Sequence, residues 1–182
     1  MAYSEQEQRL LEIIRTRSVR RGHFTLASGA TSDVYLDMKP TMFDPEGAAL
    51  IGAVIVERLK AHPDISRVGG LELGAVPIVT AVSQASWPDR PIPSFVVRKA
   101  KKDHGTQQAI DGNFTPGSKV VLVDDVTTKG GSVMQAVHAV RAQGGTVKFI
   151  LSIVDRLEGA EENLGREGVA LQPIFTARDV FA

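Results

Sequence analysis

The stretch Val120-Val121-Leu122-Val123-Asp124-Asp125-Val126-Thr127-Thr128-Lys129-Gly130-Gly131-Ser132 constrains this chain more than any other. Its apolar run, mostly β-branched, predicts a strand buried on both faces, and such a strand needs helices above and below it. The strand, expected over 119–123, ends in two adjacent aspartates. A turn of small and hydroxyl residues then leads into a helix over 131–143, closed by Gly144-Gly145. The neighbouring sequence repeats the alternation, with strands expected over 67–71, 94–97 and 147–154 and a helix over 76–85. The fold class this implies is α/β, a mostly parallel twisted sheet with helices on both faces. Ligands in such sheets sit beyond the carboxyl ends of the strands, which is where Asp124 and Asp125 fall.

Ahead of this core, Ser4 and Glu7 form a capping box for a helix carrying Leu10, Leu11, Ile13 and Ile14. That helix is expected to end near Arg20-Arg21-Gly22, with Arg15, Arg17, Arg20 and Arg21 at its carboxyl end, where cations are favoured. Phe24-Thr25-Leu26 and Val34-Tyr35-Leu36-Asp37 read as a hairpin around 28–32, and Asp44 with Pro45 opens the next helix. The 182 residues therefore divide into a small N-terminal hood over 1–43 and a core over 44–182, together one domain.

Lys plus Arg total 21 and Asp plus Glu total 21, so no net charge draws the chain to nucleic acid or a membrane. It has no cysteine, which removes disulfides, thiolate metal sites and a cysteine nucleophile. The apolar stretch over 48–56 is too short to span a bilayer, and residues 1–7 are polar and acidic, so a cytoplasmic protein is expected.

Two segments carry chemistry. In the first, successive backbone N–H groups over 126–132, backed by a helix N-terminus, form an anion cradle suited to a phosphate monoester. Thr127, Thr128 and Ser132 add hydroxyls, while Gly130 and Gly131 let the backbone approach closely. The order Lys129-Gly130-Gly131-Ser132 is not a Walker A loop, and no G-x-G-x-x-G occurs. Two carboxylates beside a phosphate cradle suit vicinal ribose hydroxyls, with a magnesium ion nearby. Strand-end capping is the plainer role for Asp124 and Asp125, but the attached turn favours a site. The second segment, 98–112, is too polar for core and too long for a plain connection, so it is expected to be a mobile binding loop. Its cations Arg98, Lys99, Lys101 and Lys102, with His104, suit a diphosphate, and no aromatic residues interleave with them as they would at a nucleic-acid surface.

The Asp-Asp and Thr/Gly turn resembles the phosphoribosyl-diphosphate (PRPP) motif of the type I phosphoribosyltransferases. Arg98-Lys99-Ala100-Lys101-Lys102-Asp103-His104-Gly105 resembles the signature loop of the orotate phosphoribosyltransferases. Phe24 to Gly29, with Ser32, Tyr35, Asp37 and Lys39, resembles their hairpin, and Asp155-Arg156 the place where an arginine meets the orotate carboxylate. The resemblance implies the type I fold with its hood, and transfer of phosphoribose from PRPP to orotate for pyrimidine synthesis, with Mg²⁺ bound through PRPP and no direct protein ligand. It implies that Lys102, His104, Asp124 and Asp125 are catalytic. PRPP would be bound by those four with Arg98, Lys99, Val126, Thr127, Thr128, Lys129, Gly130, Gly131 and Ser132, and orotate by Thr128 and Arg156. It also implies a homodimer with shared active sites. Where relatives often carry lysines, this chain has Ala27 in the hairpin and no lysine in the turn Leu71-Glu72-Leu73-Gly74-Ala75-Val76-Pro77; Lys129 stands where a small residue is usual. Two alternatives remain at this point. One is a phosphoribosyltransferase for another base, which a carboxylate-binding Arg156 disfavours. The other is a PRPP-sensing regulator without catalysis, which the intact basic segment disfavours.

Overall fold

The computed structural model describes residues 3–25, 31–99 and 109–182. Helix α1 (Glu5–Ile13) starts at the Ser4 capping box, in which the Ser4 hydroxyl accepts the Glu7 N–H and the Glu7 carboxylate accepts the Ser4 N–H. It does not run on to Arg20-Arg21-Gly22 as the sequence led us to expect. A wider π-turn, Ile14–Ser18, unwinds it into strand β1 (Val19–Thr25), which pairs antiparallel with β2 (Thr31–Leu36). Two of the four arginines do find a helix carboxyl end, but it belongs to another helix. Arg15 donates to the Asp179 carbonyl and Arg21 to the Phe181 carbonyl, both in the C-terminal helix α7 (Ala177–Phe181).

A short helix α2 (Lys39–Met42) joins the hairpin to α3 (Pro45–Leu59), whose N-cap Asp44 accepts the Glu46 and Gly47 N–H groups. From there strand and helix alternate: β3 (Arg67–Leu71), α4 (Ala75–Ala85), β4 (Ser94–Val97), β5 (Ile110–Gly112), β6 (Lys119–Thr127), α5 (Gly131–Ala142), β7 (Thr146–Asp155), α6 (Ala160–Arg166) and β8 (Ala170–Thr176). The six-stranded sheet has the order β5-β4-β3-β6-β7-β8, parallel except for β5 at one edge.

The two-residue period of β6 places one core on each face. Val121 and Val123 pack with α1, α3 and α4, while Val120 and Leu122 pack with α5 and α6. Burial on both sides explains why this strand is apolar without alternation. Among the described residues no helix is long and apolar enough to cross a membrane.

Two expectations need correction here. Residues 110–112 are not loop: Ile110 is buried, Val97 pairs with Ile110, and β5 forms the sheet edge. Strand β6 also does not stop at Val123. It continues through the aspartates to Thr127, and its pairing with β7 reaches as far as Thr127 opposite Asp155. Both carboxylates thus sit on the sheet itself.

Candidate active site

The order of the strands reverses between β3 and β6. The chain leaves β3 for β4 on one side and β6 for β7 on the other, which opens a crevice at the carboxyl ends of β3 and β6. Asp124 and Asp125 stand on one wall of that crevice, and the turn Glu72-Leu73-Gly74, joined by a cis Glu72–Leu73 peptide, forms the other. A cavity of about 120 Å³ between them is lined by Glu72, Gly74, Lys99, Asp124, Asp125 and Ser132.

The electrostatics mark this as a site built for a partner. Burial, and then the charge of Asp125, push the Asp124 carboxyl up to about 7, although Lys99 pulls the other way. Burial also raises Asp125, against the Val126 N–H and the charge of Lys39. Two half-buried carboxylates side by side are costly to ionise unless something supplies donors or positive charge.

Beyond Asp125 the chain reaches Thr127, whose side-chain hydroxyl is buried and has no hydrogen-bond partner among the described residues. Buried hydroxyls in folded proteins almost always have one, so this atom is a hydrogen-bonding group left available at the turn. Gly130 then turns in the left-handed region at φ 81°, a conformation side chains resist, and serves as N-cap of α5 without any side-chain cap. The first-turn N–H groups of α5 therefore have no side-chain cap and no acidic residue within their own turn, which leaves them open to an anion. Helix α6 backs the turn: Asn163 Nδ2 donates to the Lys129 carbonyl at 3.0 Å, and the buried Leu164 side chain lies against Gly130. Lys129 thus contributes its carbonyl to the turn while its side chain is exposed.

Arg156 follows β7 directly. Its N–H donates to the Thr127 carbonyl at 2.9 Å, which holds it beside the start of the turn over 126–132, and its Nε meets Glu158 at 2.9 Å. Lys99 faces the carboxylates from the basic segment, whereas the Arg98 guanidinium is forked onto Asp111. Lys102 and His104 lie outside the described residues, as do Ala27, Ser28 and Gly29 of the hairpin loop.

Sequence reasoning missed Glu72 and the reach of Lys39. A second cavity, of about 230 Å³, is lined by Lys39, Phe43, Leu73, Pro77, Lys99 and Asp125. Lys39 Nζ donates to Asp37 at 3.0 Å; that bond raises Lys39, while Asp37, despite the opposing effect of burial, stays below the ordinary range. Lys39 therefore brings a fixed ammonium to the edge of the centre, on the side where Leu73 is 67% exposed. The signal was present in Asp37-Met38-Lys39, but only the fold shows that it meets Asp125.

The chain is similar to known proteins over nearly its whole length. The family described as phosphoribosyl transferase domain matches residues 47–171. The chain is 46% identical to the orotate phosphoribosyltransferase of Bradyrhizobium diazoefficiens over 98% of both chains. It is similar to the crystal structure of Mycobacterium tuberculosis orotate phosphoribosyltransferase in complex with Fe(III) dicitrate, with a TM-score of 0.88, 40% identity, and coverage of 97% of this chain and 99% of that one. The structure of that enzyme in complex with 5-phospho-alpha-D-ribosyl 1-diphosphate gives a TM-score of 0.84 at 37% identity, again covering 97% and 99% of the two chains.

Proposed function

The chain belongs to the orotate phosphoribosyltransferases, and from that premise we propose how its residues divide the reaction. The enzyme is a pentosyltransferase that moves the 5-phosphoribosyl group of PRPP to orotate, giving orotidine 5′-monophosphate and diphosphate. The observation that carries the assignment of roles is the uncapped α5 N-terminus with the unpartnered Thr127 hydroxyl, next to two carboxylates of raised pKa.

The turn over 126–132 takes the 5-phosphate on its N–H groups and hydroxyls. Asp124 and Asp125 accept the ribose hydroxyls, whose donors relieve the cost of two half-buried carboxylates. Orotate lies against Thr128 with its carboxylate on Arg156. Its ring nitrogen donates an electron pair to ribose C1 while the C1–O bond to diphosphate breaks and the diphosphate oxygen keeps that pair. The ribosyl centre passes through an oxocarbenium-like state, which the nearby carboxylates stabilise, and Lys99 and Lys102 stabilise the charge that grows on diphosphate. The rest of the work is positioning and exclusion of water, which would otherwise hydrolyse PRPP.

Mg²⁺ fits this donor set, because a carboxylate pair kept above its ordinary pKa is short of positive charge. Held through PRPP beside Asp124 and Asp125, the ion would supply positive charge against the diphosphate. The enzyme works as a homodimer in which the basic segment beyond its root at Lys99, with Lys102, completes the site of the other subunit. Mixing a Lys102→Ala variant with an Asp124→Asn/Asp125→Asn variant then restores part of the activity, once subunit exchange is confirmed; no restoration means that each site is built from one chain.

Spectrophotometric loss of orotate in the presence of PRPP and Mg²⁺ tests the whole scheme, with adenine and uracil as competing bases. Orotate alone is expected to turn over. Equal use of adenine would contradict the role of Arg156, and PRPP binding without orotate turnover would favour a regulator.

A further inference from the structure

We propose that Glu72 is a positioning residue that anchors the root of the basic segment and so aims Lys99 at the Asp124–Asp125 centre, a role that rests on the phosphoribosyl-transfer scheme above. Strand β3 ends at Leu71, and its parallel ladder with β4 is carried one step further by the Glu72 N–H, which donates to the Val97 carbonyl at 2.8 Å. Beyond that rung the side chain takes over, and Glu72 Oε1 accepts the Lys99 N–H at 2.9 Å. From the other side β5 holds the same root. The Arg98 N–H donates to the Ala109 carbonyl at 2.9 Å, and the Arg98 guanidinium grips Asp111. Arg98 and Lys99 are thus fixed from both edges just beyond the end of β4.

A carboxylate in this place is otherwise hard to justify. Glu72 shares a cavity with Lys99, Asp124, Asp125 and Ser132, where a polyanionic substrate is expected, and like charges this close repel. Its contact is to a backbone N–H, so it fixes where the chain goes rather than which side chain follows. The side chain that follows first is Lys99, whose charge already acts on Asp124. Glu72 also begins the turn that carries Gly74 against Asp125, so one residue ties the β3–α4 wall of the crevice to the basic segment opposite.

Two substitutions separate an anchoring acceptor from a charge. Glu72→Gln keeps an oxygen that accepts the Lys99 N–H, whereas Glu72→Ala removes it. Loss of a hydrogen bond to a charged acceptor leads us to expect kcat to fall about tenfold or more in Glu72→Ala, with KM for orotate unchanged. Glu72→Gln is expected to stay within about threefold of the parent kcat, with KM for PRPP equal or lower, since a repulsive charge is gone. If Glu72→Ala does not fold, Glu72→Asp replaces it, because it withdraws the acceptor by one methylene, and the same fall in kcat is expected. An unchanged kcat in the truncated variant, or a Glu72→Gln enzyme as slow as Glu72→Ala, overturns the anchor. The parent enzyme is assayed alongside: failure of the parent to consume orotate overturns the scheme itself, whereas an active parent with indifferent variants overturns the anchor alone.

Discussion

Gly74 lies so close to Asp125 that a Cβ added at Gly74 would stand 2.6 Å from the Asp125 Oδ1. A methyl group there must move the carboxylate, because Asp125 is carried on a paired strand and cannot retreat with its backbone. Gly74→Ala is therefore expected to raise KM for PRPP about tenfold or more while leaving Tm within a few degrees. Steady-state kinetics with thermal unfolding on the same preparation checks this, and a variant with unchanged KM shows that the Asp125 position is not critical.

The carboxylate pair makes the ligand-free enzyme pH-sensitive, and the sign is fixed. Asp124, raised by burial and by Asp125 to about 7, binds a proton in the folded state at pH values where the unfolded chain has lost it. Its contribution to stability is full below the ordinary aspartate pKa and is lost as pH rises toward 7. Asp124→Asn removes a group that must be ionised while buried, so its Tm at pH 8 is expected to exceed the parent's by a few degrees and to vary less with pH. The same substitution is expected to weaken PRPP binding, a gain in stability at the expense of function. A parent enzyme whose Tm is flat between pH 5 and pH 8 contradicts the account.

Thr127 offers an independent check on the phosphate turn. Its buried hydroxyl lacks a partner among the described residues, so replacing it with a methyl group of similar shape removes an unsatisfied polar atom. Thr127→Val is expected to have an equal or higher Tm without ligand, yet a KM for PRPP raised about tenfold. A lower Tm with unaltered KM means that the hydroxyl serves the fold instead.

Much of this was legible in the sequence because the decisive signals are local. The run of Val120 to Val123 states a strand buried on both faces, and Ser4, Glu7 and Asp44 state helix starts that the structure shows in full. What was not legible depends on contacts between distant residues. The π-turn after Ile13 and the early start of β1 follow from pairing with β2 and from arginines reaching α7, and no local pattern announces either. Ile110 looked like loop because a short edge strand is defined by its partner β4 rather than by its own composition. Asp124 and Asp125 were legible as a site, but their pKa rise was not, since it comes from the depth to which β6 carries them. Glu72 carries no local signal, because its role is visible only where β3 and β4 end side by side.

Arg156 is held beside the turn by its own N–H and steadied at Nε by Glu158. Removing a charge-assisted contact to a carboxylate typically costs about 1.5–3 kcal/mol, so Arg156→Ala is expected to raise KM for orotate about tenfold or more. KM for PRPP should change less than about threefold. Initial rates with each substrate varied in turn separate the two, and equal effects on both would assign Arg156 to the fold.

The most direct test is calorimetric titration of PRPP with Mg²⁺ into the parent enzyme and into Asp124→Asn/Asp125→Asn. The substituted side chains keep their size and lie on a strand whose backbone pairing they do not supply, so the variant is expected to fold with native circular dichroism. A parent that binds PRPP and a folded variant that gives no binding heat is the expected result. A folded variant that binds PRPP with the parent's Kd would show that the two carboxylates on β6 are not what holds the phosphoribosyl donor.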